Sequence, residues 1–108
     1  MVLIIVTIFY PHAMASKIGK KYIEVLKKFP PDKSISQTVR IAVKPTNDGI
    51  KVIGIGDVVK GKYDEALLQT VKSQQEFTDI EGYTYEIETY MDAAEAMSVI
   101  GMEAPEDR

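Results

Sequence analysis

The chain carries a single histidine, His12, in the stretch "FYPHAMASKIGKKY" directly after its most hydrophobic run. Imidazole titrates near neutrality, so a histidine at the end of a strand is a candidate general base. The competing reading is a loop residue that caps the next helix or faces solvent. Glu86 and Glu88 stand two apart in "TYEIETY" and fall on one side of an extended segment. Paired, partly buried carboxylates can separate in pKa and divide the roles of acid and base. The same pair could instead meet Arg40 and Lys44, which alternate onto one face of an earlier segment. Ion pairs of that kind would fix the register of an assembly. Tyr10, Tyr83, Tyr85 and Tyr90 suit either a pocket for a small aromatic ligand or a half-wet core. His12 and Glu86 are therefore the catalytic candidates, and Tyr10, Arg40, Tyr85 and Glu88 the candidates for ligand binding.

Other chemistries find no residues to run on. The chain has no cysteine, which removes disulfides, thiolate metal sites, iron–sulfur clusters and a thiol nucleophile. With one histidine, no metal site and no cofactor are expected. Gly54 and Gly56 form a "GxG" inside an extended run, with no helix opening on it, so a dinucleotide fingerprint is not expected. Their lack of side chains implies either a close neighbour or a bend. A net charge of −3 argues against nucleic acid as a partner, because phosphate binding needs a concentrated positive surface. The opening "MVLIIVTIFY" lacks the basic flank and cleavage site of a secretion signal and is far short of the ~20 residues that cross a bilayer. A cytoplasmic protein without a membrane partner is expected.

The elements that must position these residues follow from periodicity. At 108 residues, 45% of them hydrophobic, the chain is one globular domain over residues 1–108, with a frayed tail from about 101. Residues 2–10 are apolar on both alternating faces, which requires a central strand covered on both sides. Ile18, Tyr22, Val25, Leu26 and Phe29 make one stripe of a helix over 14–29 that stops at Pro30 and Pro31. Residues 35–44 alternate, with Val39, Ile41 and Val43 on one face and Thr38, Arg40, Ala42 and Lys44 on the other. "PTNDG" turns the chain into a second extended run over 50–59. A second helix over 63–77, a last strand in "EGYTYEIETYMD" and a short helix "AAEAMSV" behind the N-cap Asp92 complete the chain.

The order is β-α-β-β-α-β, the split βαβ or ferredoxin-like arrangement. It is an α+β fold whose four-stranded antiparallel sheet has its first and third strands in the middle and two helices on one face. Two helices cover one side only, so the apolar second side of the first strand calls for another sheet, most simply that of an identical chain. The element order, the size and the segments "TIFYPHAMASKIGKKYIEVL" and "YTYEIETYMDAAEAM" resemble the dimeric α/β-barrel superfamily. Its members include antibiotic-biosynthesis-type monooxygenases and EthD-like proteins, and the likeness is greatest to its uncharacterised stand-alone members. The resemblance covers residues 2–98 and implies sheets paired into a barrel across a homodimer, or a higher oligomer. Haem-degrading members place a histidine on the second helix, and this chain has none there. The expected function is a dimerisation or small-molecule-binding module. The alternative is a cofactor-free, monooxygenase- or isomerase-like enzyme acting on a small organic substrate inside the barrel, with His12 as base and Arg40 stabilising an anion.

Overall fold

The structure, a computed structural model, describes residues 2–103. Strands β1 (Val2–Tyr10), β2 (Ser36–Pro45), β3 (Ile50–Val58) and β4 (Thr84–Met91) form one antiparallel sheet in the order β2-β3-β1-β4. The two most apolar strands hold the centre and the more polar ones the edges, as their patterning requires. Helices α1 (Ala15–Lys28) and α2 (Tyr63–Gln75) make the crossovers, and α3 (Ala93–Val99) follows β4. Of the tail expected from about residue 101, residues 104–108 lie outside the described residues. No helix among the described residues is long and apolar enough to cross a membrane.

Both crossover helices cover the same face. Ile18 and Val25 of α1 pack with Ile8 and Tyr10, while Ala66 of α2 packs with Ile4 and Val6. These four β1 residues share one parity and therefore one side of the sheet. The opposite side, reached by Leu3, Ile5 and Phe9, has no helix from this pair over it, so the expectation that both faces of β1 are covered holds for one face within a single chain.

Two local features depart from simple periodicity. The β2–β3 register slips between Thr38 and Arg40, leaving Val39 as a bulged residue. Thr38 opposes Gly56 and Ile41 opposes Gly54, so Thr38 lies on the helix-covered face and not beside Arg40, as strict alternation predicts. Farther along, β4 begins after Tyr83, whose backbone N–H closes a turn onto the Ile80 carbonyl at 3.1 Å. Gly82 in that turn has φ +83°, a left-handed conformation. A β-carbon there would come within 2.5 Å of the Pro11 ring, so this glycine also lets the end of β1 and the start of β4 close up.

Candidate functional site

The sheet divides the candidate residues between its two faces. Pairing across the strands gives four rows on the open face: Gln37, Asp57, Leu3 and Tyr90; Arg40, Ile55, Ile5 and Glu88; Ala42, Ile53, Thr7 and Glu86; and Lys44, Lys51, Phe9 and Thr84. Each row runs from the β2 edge to the β4 edge. The centre of this face is an apolar stripe of Leu3, Ile5, Phe9, Ile53 and Ile55, interrupted by Thr7 and flanked by Asp57 and Lys51 on β3; its β4 edge carries Glu86 and Glu88, and its β2 edge carries Arg40 and Lys44. Within one chain neither carboxylate pairs with either cation, because two strands separate them. Glu88 instead accepts a hydrogen bond from the Tyr90 hydroxyl at 3.2 Å. The charge of Glu88, that hydrogen bond and the charge of Glu86 together raise the Tyr90 phenol above its usual range. Asp57, which sequence reasoning did not single out, also lies here, and its Oδ1 has no hydrogen-bond partner among the described residues.

Tyr10 and Tyr85 lie on the other face, with Tyr83 just outside the strand. Tyr83 is buried, stacks on Phe77 at 5.0 Å between ring centroids and tilts against Tyr85 at 6.4 Å. Its hydroxyl donates to Gln74 Oε1, and Gln75 Nε2 donates to the Tyr85 hydroxyl at 2.7 Å. Burial, with smaller contributions from Tyr85 and Tyr10, pushes the Tyr83 phenol well above its ordinary value. The four tyrosines therefore do not form one cluster: three sit at one end of the helix-covered face and Tyr90 on the open face.

His12 belongs to neither face. It opens a 3-10 turn (His12–Met14) just beyond β1, and its Nε2 donates to the Thr46 carbonyl at 2.6 Å. That carbonyl lies in the turn between β2 and β3, which Thr46 closes by hydrogen bonds with Gly49 at 2.7 and 2.8 Å. The imidazole thus ties two loops together, and its partner is not Glu86, the neighbour expected for a catalytic pair. Among the described residues no group of three or more His, Asp or Glu side chains is placed to hold a metal ion.

One concavity is not marked as such by the sequence. A cavity of about 580 Å³ lies between the sheet and helices α1 and α2. Its floor includes Gly54 and Gly56. A β-carbon at Gly54 would meet no atom within 4 Å, and one at Gly56 only the Ile4 carbonyl oxygen at 3.8 Å. The glycine pair thus does not serve a close approach of a neighbouring group; it leaves space. The GxG spacing was the signal, and only the height of the helices above β3 shows its meaning.

No family model matches this chain, and no curated protein matches it in sequence. Among solved structures, the de novo designed protein Foldit4 is similar, with a TM-score of 0.56 over 84% of this chain and 97% of that one, at 13% identity. At that identity the similarity speaks for the chain path alone.

Proposed function

We propose that this chain is a self-associating module of ferredoxin-like topology. Two copies pair the open faces of their sheets, in the manner of the dimeric α/β-barrel proteins, in a cytoplasmic setting. The observation that carries this reading is the open face itself: an apolar stripe between an acidic edge and a basic edge. A two-fold axis running along the strands, midway between two facing sheets, sets β4 of each copy over β2 of the other. Glu88 then stands opposite Arg40 of the second copy, because both belong to one row. A two-fold axis across the strands would instead set acid over acid and base over base.

The available area is adequate. Strands of nine or so residues are about 30 Å long, and four of them span about 19 Å, or roughly 570 Å² per copy. A pair therefore buries on the order of 1,100 Å², enough for a specific interface. The apolar stripe supplies the affinity, and the charged edges supply the orientation. Sedimentation equilibrium at micromolar concentration tests the proposal. Twice the mass of one chain is expected, and a monomer throughout that range overturns it.

A further inference from the structure

We infer that the cavity between the sheet and the two crossover helices is a binding site for a neutral, largely apolar small molecule that carries a hydrogen-bonding group such as a carbonyl. The site is independent of the proposed dimer, since it lies on the other face of the sheet. At about 580 Å³ it falls within the range of small-ligand pockets. Its depth is lined by buried Ile4, Ile18, Val25, Val58 and Phe77. Tyr22, Leu26 and Ile41 line it too and are exposed, which places an apolar mouth between α1 and the β2 edge.

The polar lining is sparse and specific. Thr70 donates its hydroxyl to the Ala66 carbonyl at 2.8 Å, and Ser73 donates to the Gln69 and Thr70 carbonyls at 3.0 Å, so both donors are spent within α2. Gln74 accepts the Tyr83 hydroxyl through Oε1, and its Nε2 has no partner among the described residues. The Gln74 amide donor therefore remains for the ligand, together with the hydroxyls of Ser36 and Thr38 on the β2 side and of Tyr10 and Tyr22, which also line the cavity. Among the described residues no charged side chain lines the cavity. Burying a carboxylate or an ammonium without a counter-charge is costly, so a neutral molecule is selected.

The glycine pair argues for a retained cavity as against loose packing. Glycine is unfavourable within a strand, and a β-carbon would fit at both positions without displacing a neighbour. Filling the space is sterically open, and the chain leaves it empty.

The test uses N-phenyl-1-naphthylamine, a neutral apolar fluorophore, titrated against the full chain. Saturable binding of one probe per chain is expected. Gly54→Leu, which fills the floor, should weaken binding at least about tenfold. Gly56→Val blocks the cavity from the next helix-facing position, so a folding failure of one variant leaves the test in place. Decan-2-one should displace the probe, and decanoate at least about tenfold less well. A variant with both Glu86→Lys and Glu88→Lys should bind as the parent does, which separates this site from the dimer face. Absence of saturable binding, or probe affinity unchanged in both folded glycine variants, overturns the proposal. So does decanoate competing as well as the ketone, or an oligomeric state altered by Gly54→Leu with probe binding intact. The last result would assign the cleft to a second protein chain.

Discussion

Reversing the charge of Glu88 offers the sharpest test of how two copies would meet. Each dimer with its two-fold axis along the strands contains two Glu88–Arg40 oppositions, one at either edge. An exposed pair of this kind is worth about 0.5–1 kcal/mol, so the two together contribute roughly 1–2 kcal/mol. Glu88→Arg removes that attraction and replaces it with repulsion of similar size, for a total loss of ~2–4 kcal/mol. The dimer Kd should then rise about 30- to 700-fold. Arg40→Glu added to Glu88→Arg recreates both pairs with reversed polarity and should recover most of the loss. The assay is sedimentation equilibrium at low and high salt. Screening shortens the reach of a charge from about 10 Å at 0.1 M to about 3 Å at 1 M. Added salt should therefore weaken the parent dimer and strengthen the Glu88→Arg dimer. Fold stability of the single chain should move little, since among the described residues Glu88 gains only the Tyr90 hydrogen bond. A Glu88→Arg dimer of unchanged Kd, or a double variant as weak as the single one, would refute the axis along the strands.

Three further outcomes follow from single contacts. Gly82→Ala should cost about 2–4 kcal/mol in urea unfolding, from a left-handed conformation and overlap with the Pro11 ring, and only ~1–2 kcal/mol when Pro11→Ala is also present; equal costs in both backgrounds would show that the added methyl does not meet the Pro11 ring. Ultraviolet titration should find one of the six tyrosines ionising last and Tyr83→Phe should remove that component. Because the folded value is raised, the Tyr83 contribution is whole below the unfolded value near 10 and is lost as pH climbs above it. Asp92 caps α3 by accepting from the Glu95 backbone N–H at 2.8 Å, which lowers its carboxyl pKa. A lowered folded value means stability present above the ordinary carboxylate range and lost as pH falls through it. Cα chemical shifts over Ala93–Val99 should drift toward coil on acidification, and in Asp92→Ala they should start there.

Legibility in the sequence followed the physics of each signal. Strand β1 and helix α3 were fixed to the residue, one by an uninterrupted apolar run and the other by an N-cap and a short apolar-small segment. The faces of Glu86 and Glu88 were legible because alternation is unbroken along β4. Thr38 was placed on the wrong face because nothing in Thr38-Val39-Arg40 marks a bulge; all three residues suit a strand, and the extra residue is decided by pairing with β3. The helical stripe of α1 was read correctly, yet only Ile18 and Val25 are buried within it. Periodicity says which residues face inward; it does not say how closely the opposite layer approaches. The role of His12 was hidden for another reason: its acceptor is a backbone carbonyl, and every residue has one.

Strand β3 is where these readings converge. Its odd positions, Ile53 and Ile55, extend the apolar stripe of the open face, and its even positions, Gly54 and Gly56, empty the space beneath the helices. A strand in the middle of a sheet must satisfy two layers at once, and ordinarily it does so with apolar side chains on both sides. Here one side is built up and the other cut away. The parity of the strand makes the two choices independent, because a substitution at 54 projects away from the face that 53 and 55 serve. Poor packing would not respect that parity; it would thin both faces alike. The contrast between an apolar open face and a glycine-floored cavity in the four consecutive residues Ile53–Gly56 is therefore read as two surfaces with two proposed occupants. On the reading proposed above, the occupant of the open face is a second copy of the chain, and the occupant beneath the helices is a neutral small molecule.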